Sequence, residues 1–124
     1  MNLIVISENI TNGVDKALIQ SIHRFMIYCK RVADDGSEES ILLDQAFNDV
    51  DEAMQLPATS EKRAQLLSQK AHIVRMQRKA ASEWRSLFRQ ASCLDPSRVL
   101  KEKTDPWRKT EQRALKKLNI LSPA

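Results

Sequence analysis

The sequence predicts an all-α protein, either an elongated helical bundle or a helical hairpin with one long central helix. Its 124 residues include only 2 Gly and 4 Pro, too few for the many tight turns of a β-sandwich or barrel. Apolar residues instead recur at helical spacing. The length suits one domain, which we divide into an N-terminal helical pair (1–57), a long helix (58–94) and a basic C-terminal helical segment (95–124).

The first helix is predicted to run from about Val14 to Ala33. The Asn12-Gly13 pair before it is a turn signal. The apolar run at residues 3–6 has no second strand to pair with, so we expect an extended segment or an early helical turn packed on the core. The buried face is predicted from the i, i+3, i+4, i+7 spacing of Val14, Leu18, Ile22, Phe25, Cys29 and Val32.

The second helix is predicted from about Glu38 to Leu56, after a break at residues 34–37. Ser37 is a suitable N-cap because its hydroxyl can accept a hydrogen bond from a free backbone N–H of the first turn. Pro57 ends the helix. Its apolar face is formed by Leu43, Ala46, Phe47, Val50, Ala53 and Met54.

The third helix is predicted to be the long one, because residues 58–95 contain neither Gly nor Pro. A continuous helix from about Glu61 to Ser92 would have about 32 residues and a length of about 48 Å. A compact globule of this chain length is only about 35 Å across. Such a helix must therefore break, belong to an elongated fold, or be covered by a partner chain, and the third alternative is the argument for a homodimer.

The last segment contains two Asp-Pro pairs, Asp95-Pro96 and Asp105-Pro106. Each places an acidic N-cap before a proline in the first helical position. We predict a short helix after the first pair and a longer one, from about Pro106 to Leu121, after the second. The two together have the outline of a helix–turn–helix motif without its usual glycine.

Charge is segregated along the chain. The formal net charge is +4, but residues 1–31 carry +2, residues 32–61 carry −9 with no Lys or Arg, and residues 62–124 carry +11. In one interpretation the acidic second helix packs beside the basic third helix, and the charges neutralise each other within the chain. In the other, the two charged faces are presented to different partners.

The candidate binding residues follow from this charge pattern. On a continuous third helix, four arginines form a stripe that could track phosphates or bind acidic side chains. Trp107 is expected either to stack on a base or to anchor the last helix. The basic contact set is Arg75, Arg78, Arg85, Arg89, Lys101, Lys103, Trp107, Arg108, Arg113, Lys116 and Lys117. The acidic contact face is Asp44, Asp49, Asp51 and Glu52.

Several chemistries lack a sequence signal. The glycines, Gly13 and Gly36, are too far apart for a Gly-rich phosphate loop. His23 and Cys29 project to different sides of a helix, and no spacing typical of a metal site occurs. Cys29 and Cys93 are expected to be reduced core thiols, with a disulfide as the alternative. We therefore predict no metal, no cofactor and no catalytic activity.

These observations favour a small non-catalytic regulatory or adaptor protein that acts by protein–protein contact through its segregated acidic and basic faces. Direct nucleic-acid binding by residues 62–124 is the alternative. Neither a signal peptide nor a membrane-spanning segment is predicted, so we expect a cytoplasmic protein without a membrane partner or a small-molecule substrate.

Overall fold

A computed structural model describes the backbone of residues 2–120 and the side chains of residues 13–120. The all-α prediction is confirmed, since the described backbone forms six helices and no strand. None of these helices combines the length and the apolar character needed to cross a membrane. The helices are α1 (Asn2–Asp35), α2 (Ser40–Met54), α3 (Ser60–Met76), α4 (Ala81–Leu94), α5 (Arg98–Lys103) and α6 (Trp107–Lys117).

Helix α1 begins earlier than the sequence indicates. The turn predicted at Asn12-Gly13 is wrong, because the helix continues through both residues. A glycine inside a helix costs only about 1 kcal/mol relative to alanine, and a Cβ at Gly13 would lie 3.6 Å from Leu56 Cδ1, within ordinary contact. Of the two alternatives at residues 3–6, the backbone takes the helical one. Whether these side chains pack on the core lies outside the described side chains.

The main core lies between α1, α2, α3 and α6. Helices α1 and α2 are antiparallel, since Gly13 lies beside Leu56 at one end of the pair and Tyr28 donates a hydrogen bond to Glu38 at the other. Between these ends, Ser21 donates a hydrogen bond to the Ala46 carbonyl (2.8 Å). The faces predicted for these two helices are largely confirmed. Their buried apolar residues are Val14, Leu18, Phe25, Tyr28, Cys29, Val32, Leu43, Ala46, Val50 and Ala53, which pack with Leu66, Ile73 and Met76 of α3 and with Ala114 and Leu115 of α6.

The long helix predicted over residues 61–92 is wrong, because it is divided into α3 and α4 at residues 77–80. Arg78 adopts a left-handed conformation with φ 62°. Its N–H donates to the Arg75 carbonyl (3.0 Å), and the next N–H, of Lys79, donates to the Val74 carbonyl (3.2 Å). These two bonds form a Schellman motif, which commonly ends helices at a glycine. Here an arginine occupies that position, so the sequence carries no glycine signal for the break.

After this break, α4 folds back antiparallel along α3. Leu67 near the start of α3 packs with Ala91 near the end of α4, whereas Val74 packs with Trp84 at the other end of the pair. Helix α3 therefore buries one face against the main core and another against α4. The predicted third helix of about 48 Å (about 32 residues) does not form, so the homodimer prediction loses the argument that was based on that helix.

Arg78 gives a test of this chain reversal. We expect Arg78→Gly to raise the free energy of unfolding by about 1 kcal/mol, because glycine adopts a left-handed conformation without a Cβ clash. The exposed ion pair of Arg78 with Glu38 would be lost, but such pairs contribute little. Urea unfolding measures the difference. The control Arg78→Ala loses the same pair and keeps the unfavourable conformation; equal stability of the two variants would contradict this account of the break.

Helices α5 and α6 confirm a short helix followed by a longer one. Helix α6 ends at Lys117 rather than at Leu121, because Asn119 adopts a left-handed conformation with φ 56°. The Ile120 N–H then donates to the Leu115 carbonyl at 2.9 Å, so this helix ends with the same kind of bond as α3.

Candidate functional site

The arginine stripe predicted on the third helix does not form. Arg75 is only 2% exposed. Its guanidinium carbon lies 5.7 Å from the centre of the Trp84 ring and 5.8 Å from that of Phe88, because α4 folds back over it. Its Nη2 lies 3.3 Å from Oε1 of Glu111. Arg75 is therefore a core residue, and its prediction as a surface contact is wrong.

The other three arginines of the predicted stripe are exposed. Arg78 pairs with Glu38 at 3.0 Å. Arg85 lies over the Trp84 ring, with its guanidinium carbon 5.0 Å from the ring centre. Within residues 13–120, neither Arg85 nor Arg89 makes an ion pair. These two residues, one turn apart on α4, are the part of the stripe that remains available for a partner.

The basic residues of the C-terminal segment divide into two groups. Lys101, Arg108 and Arg113 are engaged within the chain, as Lys101 pairs with both Glu61 (3.2 Å) and Asp95 (3.1 Å). Arg108 pairs with Glu111 at 2.8 Å and Arg113 with Asp34 at 3.1 Å. The second group is exposed and forms no ion pair among the described residues: Lys103, Lys116 and Lys117.

Trp107 is half-buried and anchors α6 to the bundle. Its ring meets Phe25 edge-on with ring centres 6.0 Å apart, and it meets His72 edge-on at 5.3 Å. The anchoring alternative for Trp107 is therefore the one that its contacts support.

The acidic contact face is also partly engaged. Asp49 pairs with Arg24 at 2.7 Å, and Asp51 pairs with Lys70 at 3.1 Å. Asp44 and Glu52 are exposed and make no ion pair within residues 13–120. Neutralisation between the acidic and basic parts of the chain thus occurs in part, through the pairs Asp34–Arg113, Glu38–Arg78, Asp51–Lys70 and Glu61–Lys101.

An open groove of about 470 Å³ lies where α4 packs on α3. We call it the α4 groove; it is lined by Leu67, Ser86, Arg89, Gln90, Cys93 and Leu94. Its apolar part includes Leu94, which is 40% exposed, and the next turns of the chain expose Val99 and Leu100. Cys93 is exposed rather than in the core, and both cysteines are free thiols. The groove combines an apolar surface with Arg89, a cation that has no ion-pair partner in the described chain.

A buried ionic network joins α3 to α5 and α6, and sequence reasoning missed it. At its centre is His72, which is 1% exposed. One ring nitrogen, Nδ1, lies 2.6 Å from Oε2 of Glu111 and forms an ion pair with it. The alignment of the two groups is too poor for a hydrogen bond. The other ring nitrogen, Nε2, lies 3.2 Å from Oε2 of Glu102. An imidazole with a carboxylate at each nitrogen is best satisfied when it is protonated at both.

Glu111 is fully buried and holds the network together. Its Oε1 accepts a hydrogen bond from Arg108 at 2.8 Å, in addition to its contact with Arg75. Glu102 also accepts a hydrogen bond from the Ser68 hydroxyl. Each carboxylate is thus compensated by several donors, as buried charges require.

The pKa values of the network follow from these contacts. Burial alone lowers the pKa of His72, but the negative charges of Glu111 and Glu102 raise it above its usual value. Burial alone raises the pKa of both glutamates, but the positive charge of His72, with its hydrogen bond to Glu102, brings these pKa values below the usual range. The arrangement therefore favours the charged form of all three groups.

The sequence contains a weak signal for this network. Ser68, His72 and Arg75 recur at i, i+4 and i+7 on α3, so three polar side chains follow one face between apolar ones. Their acidic partners come from α5 and α6, more than 25 residues further along the chain, and no local pattern indicates that pairing. Within residues 13–120, no three His, Cys, Asp or Glu side chains are placed to hold a metal ion.

Comparisons with protein-family models, with curated proteins and with solved structures find no significant match to this chain.

Proposed function

We propose that this chain is a small non-catalytic adaptor of the cytoplasm that binds an acidic amphipathic helix of a partner protein in the α4 groove. The observation that carries the proposal is the α4 groove itself, with the apolar surface of Leu67 and Leu94 beside Arg89. Arg85, one turn earlier on α4, adds a second cation that no acidic side chain of the described chain neutralises.

The groove suits a helix rather than a small molecule. A helix bound in a groove is held by apolar anchors that recur every three or four residues. Leu94 in the groove is exposed, and the chain that follows α4 exposes two further apolar side chains, Val99 and Leu100. Carboxylates on the flank of the helix would form charge-assisted hydrogen bonds with the two arginines, which contribute mainly to specificity and to the association rate.

A second contact surface on α2 supports the role of an adaptor. Asp44 and Glu52 are exposed and unpaired within the described residues, whereas Asp49 and Asp51 are held by Arg24 and Lys70. Within the described residues, only two of the four side chains of the acidic contact face therefore remain for a basic partner.

Charge reversal on α4 tests the proposal. The probe is an acidic amphipathic peptide with Leu at helical spacing and Glu on one flank, compared with the same peptide carrying Gln for Glu. We expect the protein to prefer the Glu peptide, and the double variant Arg85→Glu, Arg89→Glu to weaken that binding about tenfold or more, because attraction becomes repulsion. Fluorescence anisotropy of the labelled peptide measures both effects.

The matched control is Lys116→Glu, Lys117→Glu, which changes the net charge equally on another part of the surface. We expect it to leave the affinity for the Glu peptide within about twofold at physiological salt, where distant charges are screened. Equal affinities for the two peptides, or equal losses in the two double variants, would contradict the proposal.

Nucleic-acid binding by residues 62–124 is the second candidate, favoured by Lys103, Lys116 and Lys117, which are exposed and form no ion pair among residues 13–120. It requires an affinity for labelled duplex DNA or single-stranded RNA that falls steeply with salt, because each neutralised phosphate releases counterions. It also requires that Lys116→Glu, Lys117→Glu abolish that binding. The two candidate functions are therefore sensitive to different double variants.

A further inference from the structure

A second cavity, separate from the α4 groove, lies between α1, α3, α5 and the start of α6. Its volume is about 240 Å³. One wall is apolar, with Leu18 and Ile22 of α1, and the opposite elements supply the side-chain amides of Gln65 and Gln69 and the guanidinium of Arg98. Apolar walls with a few polar groups are typical of sites for small ligands.

Arg98 is the unusual group in this cavity. Its side chain is only 11% exposed. Its Nε and Nη1 are buried and donate no hydrogen bond to any described residue. The nearest carboxylate oxygen, Oε1 of Glu102, lies 3.5 Å from Nε, too far for a strong hydrogen bond. Buried donors of a charged group without an acceptor are costly, and a small movement of the side chain would let a ligand oxygen in the cavity satisfy them.

The charges around Arg98 define the kind of anion that fits. In the adjoining network, Glu102 is already held by His72 and Ser68, and Glu111 is held by Arg108 and Arg75. Arg98 therefore has only its 3.5 Å ion pair with Glu102, a carboxylate that it shares with His72 and Ser68.

Two acidic side chains limit the charge of the ligand. Glu102 and Asp105 also line the cavity, and Asp105 is half-buried. A dianion such as phosphate would be repelled by both, whereas a single carboxylate on Arg98 adds only one negative charge. The planar guanidinium also matches the geometry of a carboxylate.

We propose that this cavity binds a small organic monocarboxylate, with its carboxylate on Arg98 and its apolar part against Leu18 and Ile22. The side-chain amide of Gln65 supplies an additional donor, whereas that of Gln69 already donates to Ser21. This inference departs from the sequence-based expectation that no small molecule is bound, and it is independent of the proposed function because the α4 groove shares no residue with this cavity.

The test is a nuclear magnetic resonance titration of the ¹⁵N-labelled protein with isovalerate. We expect saturable shifts of the Trp107 indole signal and of the side-chain amides of Gln65 and Gln69, with a dissociation constant of about 1 mM or tighter, which suits a ligand of this size. Isoamylamine has the same branched carbon skeleton with a positive charge, and inorganic phosphate is largely a dianion above neutral pH. Both are expected to bind at least about tenfold more weakly than isovalerate (one decade is about 1.4 kcal/mol).

Three variants complete the test. Arg98→Gln should abolish the isovalerate shifts, whereas Arg113→Gln, which removes an exposed arginine elsewhere, should leave them unchanged. If Arg98→Gln does not fold, Gln65→Trp fills the cavity while the charge of Arg98 remains, and it should also abolish binding. The absence of saturable shifts up to about 50 mM isovalerate (about 2 kcal/mol of affinity), equal shifts with the amine or phosphate, or undiminished binding in Arg98→Gln or Gln65→Trp would overturn the proposal.

Discussion

Replacement of Glu111 by glutamine is expected to lower the free energy of unfolding by about 3–5 kcal/mol, because it removes one partner of a buried charge network. Glu111 is fully buried and contacts His72, Arg75 and Arg108. Without its charge, Arg75 and His72 remain in the core with less compensation. Such a loss is a large part of the stability of a small domain. Urea unfolding at pH 6 measures it.

The matched control is Glu38→Gln. This glutamate is also paired with an arginine, Arg78, but both side chains are substantially exposed. We expect a change of less than about 1 kcal/mol, as for other surface pairs. If Glu111→Gln were no more destabilising than this control, the network would not be the stabilising feature that its burial indicates.

The same network makes stability depend on pH. The pKa of His72 is raised above 6.5 in the folded protein, so its contribution to stability is fully present below about pH 6.5 and is lost as the pH rises through the folded value. The pKa values of Glu102 and Glu111 are lowered below 4.5, so their contribution is present above about pH 4.5 and is lost as the pH falls through their folded values. Maximum stability is therefore expected between these limits.

Urea unfolding from pH 5 to 8.5 tests the histidine part. Between its unfolded and folded pKa values, His72 contributes a decline of up to about 1.4 kcal/mol per pH unit, and the variant His72→Gln should lack this decline. His23 is exposed on α1, so His23→Gln should follow the wild-type curve. A wild-type curve as flat as that of His72→Gln would contradict the charged state assigned to His72.

The pH range ends at 8.5 so that the ionisation of two other groups does not affect the measured stability. Burial raises the pKa of the Cys29 thiol above its usual value of 9.0, and burial together with Glu38 raises the pKa of Tyr28 to about 12. Because the unfolded thiol and phenol ionise more readily than the folded ones, both groups lower stability only at pH values above about 9.

The fold class and most of the helix faces could be predicted from the sequence, because they depend on local periodicity. Leu43, Val50 and Ala53 of α2 are buried as their spacing predicts. The division between α3 and α4 could not be predicted, since it depends on Arg78 in a conformation that glycine adopts more readily. The cost is offset by the packing of α4 back onto α3, which is a tertiary effect.

The candidate site was predicted less well for a related reason. On a continuous helix Arg75 shares a face with Arg78, Arg85 and Arg89, and only the chain reversal places it under Trp84. Its partner Glu111 is distant in sequence, as are Asp34 and Arg113, so ion pairs of this kind are set by the packing of helices rather than by local patterns. Residue type and spacing identified the basic residues, but not which of them the acidic ones would engage.

The most direct measurement for the proposed function is a map of where the acidic amphipathic peptide binds. We would titrate the peptide into the ¹⁵N-labelled protein and follow the backbone amide signals. We expect shifts concentrated at Arg89, Gln90, Cys93 and Leu94, with little change on α2. Shifts centred on α2 or at the end of α6, or none up to about 1 mM peptide (about 4 kcal/mol of affinity), would contradict it.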